Sequence, residues 1–136
     1  MIHEYIYTIP GIPINANQCN QINRREWSDQ ASQLELKRHI LANQHQDQKP
    51  LMGPLKFHTI FYFPETRKQK HAHYINKPNT IFNLIRFVQK VAEGIILAPN
   101  AYVHSFESHI GYSYEPRTIL IIEKELPLRS SQEIER

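Results

Sequence analysis

Two groups of histidines are the first residues whose types and spacing could do chemistry. His71 and His73 are two residues apart, a step that puts two imidazoles on one side of an extended strand. Neutral imidazole binds zinc, copper or nickel. His104 and His109 are possible partners for such a pair. The spacing matches no established metal motif, so His71 and His73 are read as exposed loop or strand histidines and no metal site is assigned. His104, Glu107 and His109 form a second set, with the residue types of acid–base or phosphodiester chemistry. Alternation along a strand sends His104 and His109 to opposite faces unless a bulge intervenes, so the three are not read as one site. No catalytic residue is assigned. Cys19 is the single cysteine. That excludes an intramolecular disulfide and a cysteine-rich zinc site, and the thiol reads as a small packed or inert surface group.

Charge is the other chemical signal. The 136 residues carry a net charge of +3 and an isoelectric point near 9.0. From Thr66 to Ala92 there is no Asp or Glu, while Arg67, Lys68, Lys70, Lys77, Arg86 and Lys90 all fall in that window. Cations without intervening acids suit a polyanion, and His71, His73 and Tyr74 add rings that can stack on bases. A solvated basic loop is the competing reading.

The elements that would position these groups can be read from pattern. Residues 2–9 are rich in Ile and Tyr and predict a first strand, ended by Pro10-Gly11-Ile12-Pro13. An irregular segment over 14–26 follows. A helix is expected to start near Ser28 or Asp29, with Trp27, Ala31, Leu34, Arg38 and Leu41 as its stripe. Ser32 and Glu35 would make a capping box if it starts later. Residues 44–53 predict a loop. Leu55 to Phe63 is dense in aromatic and β-branched residues and predicts a strand closed by Pro64, with Phe57, Phe61 and Phe63 sharing one core face. Asn79 or Thr80 can cap a second helix whose apolar stripe is Ile81, Leu84, Ile85, Val88, Val91 and Ala92, stopped by Gly94. Strands over 101–110 and 118–124 complete a β-α-β-α-β-β order. That order implies one α/β (α+β) domain over residues 1–126, a mixed sheet with helices packed on one face, and a polar tail over 127–136. No apolar run approaches the ~18 residues of a membrane span. Met1 to Tyr5 shows no basic segment leading into an apolar stretch, so the expectation is a cytoplasmic protein without a secretory signal.

Particular residues in that order give a likeness to a known family. These are Thr8-Ile9-Pro10-Gly11-Ile12-Pro13 with Asn15 and Asn17, Gly53-Pro54-Leu55 before the aromatic strand, and Lys77-Pro78 before Asn83-Leu84 and Arg86. Gly94-Ile95-Ile96, followed by Val103, completes the set. The chain resembles the RusA-type Holliday-junction resolvases from Ile6 to about Glu125. In such enzymes carboxylates on the second helix and after the following turn hold Mg²⁺, which activates water against a phosphodiester. The resemblance places Thr80 and Phe82 at the first two Asp positions. It places Asn83 on the family's Asn, Arg86 on its Lys, Lys90 near a further acidic position, and Pro99 and Asn100 on the later Asp pair.

Those substitutions remove the hard anionic ligands that Mg²⁺ wants and add positive charge in their place. The resemblance therefore implies a RusA-like nucleic-acid-binding protein without Mg²⁺-dependent cleavage, with no cofactor. Its expected partners are branched or duplex DNA and a second copy of itself in a homodimer. Two alternatives stand beside it. One is an active structure-specific endonuclease with a rearranged Mg²⁺ site using Glu65, Glu93, Glu107 or the histidines. The other is a protein-interaction module that has kept only the fold.

Overall fold

The computed structural model describes residues 2–14, 24–46, 48–65 and 80–125. The elements run β1 (Ile2–Pro10), α1 (Arg24–His45), β2 (Pro54–Pro64), α2 (Thr80–Ala92), β3 (Tyr102–Ser113) and β4 (Arg117–Glu125). This is the expected β-α-β-α-β-β order, in a single α+β domain with a mixed four-stranded sheet. Among the described residues no helix is long and apolar enough to cross a membrane.

The sheet order is β1-β4-β2-β3. β4 pairs antiparallel with β1 on one side and with β2 on the other, and β2 pairs parallel with β3. A parallel pair needs a crossover, and the segment containing α2 supplies it. The three residues Tyr114 to Pro116 link β3 to β4 although β2 lies between those strands.

Strand β2 is bonded on both flanks and alternates strictly. Leu55, Phe57, Thr59, Phe61 and Phe63 are buried, while Lys56, His58, Ile60 and Tyr62 are only half-buried. The first set faces the helices together with Tyr7 and Ile9 of β1 and Leu120 and Ile122 of β4, in one cluster with Leu41 of α1 and Leu84, Phe87, Val88 and Val91 of α2. Phe57 and Phe61 are fully buried, and each such side chain contributes about 1.5–3 kcal/mol through removal from water. The one polar member of that row in β2, Thr59, shares a 2.7 Å hydroxyl–hydroxyl bond with Ser108 of β3. Among the described residues no helix packs on the other face of the sheet.

Helix α1 differs from its expected start. It begins at Arg24, because Arg24-Arg25-Glu26-Trp27 contains no breaker and is built of residues that favour helix. Ser32 and Glu35 therefore lie in mid-helix and form no capping box. The helix also runs to His45, into the expected loop, and ends where Gln46 adopts a left-handed φ of 54°. Its inward stripe is Leu34, Lys37, Arg38, Leu41 and His45, while Ala31 is exposed.

This stripe is mostly polar, so α1 is held to the sheet by hydrogen bonds as well as by Leu41. Lys37 Nζ donates to Pro10 O at 2.7 Å, and burial pulls its pKa below the usual lysine value. The Gln44 amide accepts from Thr8 N–H at 2.9 Å and donates to Thr8 O at 2.7 Å, as a neighbouring strand would. Edge strand β1 is thus blocked at Thr8 and Pro10. His45 Nε2 donates to Lys49 O at 3.0 Å, which leaves Nδ1 to accept the Tyr7 hydroxyl at 2.7 Å.

Tyr7 and His45 are both buried. Burial, helped by the charge of Tyr5, pushes the Tyr7 phenol up to about 12 from 10.0. A folded pKa above the unfolded one gives stability that is present below pH 10 and lost as pH climbs toward 12. Tyr7→Phe should lower the unfolding free energy by about 1–3 kcal/mol at neutral pH, because it leaves His45 Nδ1 buried without a donor. Urea titrations should also show a shallower loss of stability above pH 10.0 in the variant than in the wild type.

Candidate functional site

Helix α2 turns Thr80, Asn83, Leu84, Phe87, Val88, Val91 and Ala92 inward. Steps of three and four residues on an α-helix make that a single face. The opposite face presents Phe82, Arg86 and Lys90, one turn apart, all exposed. Phe82 is 64% exposed, a large aromatic left in water beside two cations. No acid lies on the helix. Arg86 and Lys90 are the members of the expected basic set that the structure describes. Arg67, Lys68, Lys70, Lys77, His71, His73 and Cys19 lie outside the described residues.

The end of α2 is fixed by α1. Arg38 Nη1 donates to the carbonyls of Lys90 at 2.9 Å, Val91 at 3.4 Å and Glu93 at 2.7 Å. A guanidinium there satisfies carbonyls that the helix cannot bond itself and meets the negative end of the helix dipole. Gly94 follows at φ +78°, the left-handed stop expected of it.

The positions assigned by resemblance are spread along this unit. Thr80 and Asn83 are buried under α2, and Phe82, Arg86 and Lys90 point away from the core. Pro99 lines a cavity of about 450 Å³ with Gln89, Glu93, Leu97 and Tyr102, and Asn100 is exposed in the adjoining turn. Nine residue steps of helix separate Thr80 from Gln89, about 14 Å along the axis. Thr80 and the Pro99–Asn100 pair are therefore not drawn to one point. Glu93 is the carboxylate beside Pro99, and Glu65 is exposed at the end of β2 with its N–H bonded to Ser113 O at 3.1 Å.

The helix-free face of the sheet gathers a different group. The β2–β3 register skips His104 between Val103 and Ser105, so a bulge does intervene at that residue. Beyond it, His58 stands opposite Glu107, and Ile60 opposite His109. One ligand atom from each of His58, Glu107 and His109 lies within 4.8 Å of the others. His109 Nε2 is 3.4 Å from Glu107 Oε2, and Lys56 Nζ is 3.6 Å from Oε1. The His109 hydrogen bond, then the charges of His58 and Lys56, hold the Glu107 carboxyl below the usual carboxylate range.

His104, the unpaired residue of the bulge, is outside this group. Glu107 and His109 were expected candidates, and His58 was not. Its parity with Lys56 and Ile60 was visible in the sequence. The register that sets it against β3 was not.

No protein-family model and no curated protein matches the chain.

Arg38 ties the two helices together, and its loss should be measurable. Arg38→Met should cost about 1–3 kcal/mol in urea unfolding, since charge-assisted bonds to the α2 carbonyls vanish. The same change should accelerate amide hydrogen exchange at Ile95, Ile96 and Leu97, whose N–H groups bond to Ala92 O, while leaving β1 and β4 protected.

Proposed function

We propose that this protein is a RusA-like nucleic-acid-binding domain that does not carry out Mg²⁺-dependent junction cleavage. The observation that carries the reading is the outward stripe of α2: Phe82, Arg86 and Lys90 exposed on one face of a helix without acids. Guanidinium and ammonium groups neutralise phosphates, and an exposed aromatic ring stacks on any unpaired base. The stripe continues the acid-free sequence that begins at Thr66 and holds Arg67, Lys68, Lys70 and Lys77. Branched DNA, where bases and phosphates are both accessible, suits this combination. A homodimer would present two such helices to a two-fold symmetric junction. The reading places the protein in the cytoplasm.

The absence of cleavage follows from ligand chemistry. Thr80 and Asn83 offer neutral oxygens and Phe82 offers none, and Arg86 and Lys90 repel a cation.

Binding to a synthetic four-way junction and to matched duplex, across a salt series in Mg²⁺ with products monitored, tests the proposal. Salt-sensitive binding without cleavage is expected. Arg86→Ala and Lys90→Ala should each reduce the slope of log affinity against log salt by about 1. Phe82→Ala should weaken junction or single-strand binding by about 1–3 kcal/mol with the slope unchanged. Absence of binding at low salt would overturn the reading in favour of a protein-interaction module, and cleavage would replace it with an active nuclease.

A further inference from the structure

The helix-free face holds a group of side chains that nucleic-acid binding by α2 does not use. We infer that His58, Glu107 and His109 form a binding site for a divalent transition-metal ion of the zinc class, with one or more coordination positions open to solvent.

Five observations support this site. The ligand atoms of the three residues lie within 4.8 Å of one another. A tetrahedral ion with bonds of about 2.0–2.1 Å needs neighbouring ligand atoms about 3.4 Å apart. Glu107 Oε2 and His109 Nε2 are 3.4 Å apart, so two ligands already stand at that separation. His58 Nε2 is buried with no hydrogen-bond partner, and an orphaned buried polar atom is rare enough to require a reason. The His58 and His109 rings meet edge to face, with centroids 5.4 Å apart and planes at 65°, leaving their nitrogens free of parallel stacking. Lys56 Nζ stands 3.6 Å from Oε1 of Glu107, so Oε2, on the His109 side, is the oxygen available as a ligand.

The donor set chooses the metal. Two imidazoles and one carboxylate favour zinc, cobalt, nickel or copper over magnesium or calcium, which take oxygen donors. Three protein ligands leave a fourth position for water, the arrangement of catalytic zinc sites as opposed to structural ones. Glu107 and His109 are exposed and His58 is half-buried, so that fourth position opens to solvent. By register Ile121 of β4 stands opposite His58 and Ile60 of β2 opposite His109, so two aliphatic side chains flank the site on its own face. It is on the opposite side of the sheet from α2 and is independent of the nucleic-acid reading.

Cobalt(II) is the probe, because it reports four-coordinate binding by visible absorption. The full chain, stripped with a chelator and titrated with Co²⁺, should bind one equivalent. Zn²⁺ should displace it, and a roughly hundredfold excess of Mg²⁺ should not. His109→Ala and Glu107→Gln should each weaken Co²⁺ binding by at least about tenfold. Both residues are exposed, so an unchanged melting temperature of the metal-free variants confirms that the fold is kept. The His71→Ala, His73→Ala double variant should bind as the wild type does. Three results would overturn the site: no saturable Co²⁺ binding, binding that survives both His109→Ala and Glu107→Gln, or binding abolished by the His71, His73 double change.

Discussion

The structure depends on strand β2 being bonded on both flanks in one fixed register. Its odd-numbered side chains, Leu55 to Phe63, build the core, and its even-numbered ones, Lys56 to Tyr62, furnish the helix-free face. A slip by one residue would exchange the two sets and drive His58 and Lys56 into apolar surroundings. Burial of Phe57 and Phe61 therefore also fixes where the His58 ring stands. The hydrophobic core and the polar group on the far face are two results of one alternation.

The two helices attach to that sheet by different physics. Helix α2 buries a face that is apolar except at Thr80 and Asn83. Helix α1 brings Lys37, Arg38, Gln44 and His45 to the interface and finds an acceptor or donor for each. Buried polar contacts of this kind add little net stability but penalise any other placement, because a displaced helix would strand several groups at once. They set position where hydrophobic contact alone would allow sliding. The stripe of Phe82, Arg86 and Lys90 inherits its direction from this arrangement, since Arg38 holds the last turn of α2.

Much of this was legible from local pattern. The aromatic strand, its core-facing Phe57, Phe61 and Phe63, the apolar face of α2 and the left-handed stop at Gly94 all follow from spacing along a few residues, and the element order and sheet class followed from them. The start of α1 was obscured because Ser28 and Asp29 are good caps, yet the residues before them are also good helix formers. The inward-facing stripe of α1 was obscured because Lys37 and His45 read as surface residues until their partners, 27 and 38 positions away, are in place. His58 could be placed on a face by parity, but its meeting with Glu107 depends on a bulge at His104 and on a pairing across 49 positions of chain. Long-range register leaves no mark in a single strand.

The strand order has a consequence for how the molecule comes into being. β4 is the last of this sheet's four strands in sequence, yet it lies between β1 and β2 and, among the described residues, is the strand that hydrogen-bonds β1 to the rest of the sheet. While the chain emerges from the ribosome, β2 and β3 can pair, but β1 has no strand partner until some 115 residues later. Closing so long a loop is entropically slow. During that interval only α1 can cover β1, through His45, Gln44 and Lys37, and its strand edge toward β4 is open to association with other chains. The link that completes the sheet is thus also the one that ends the nascent chain's exposure.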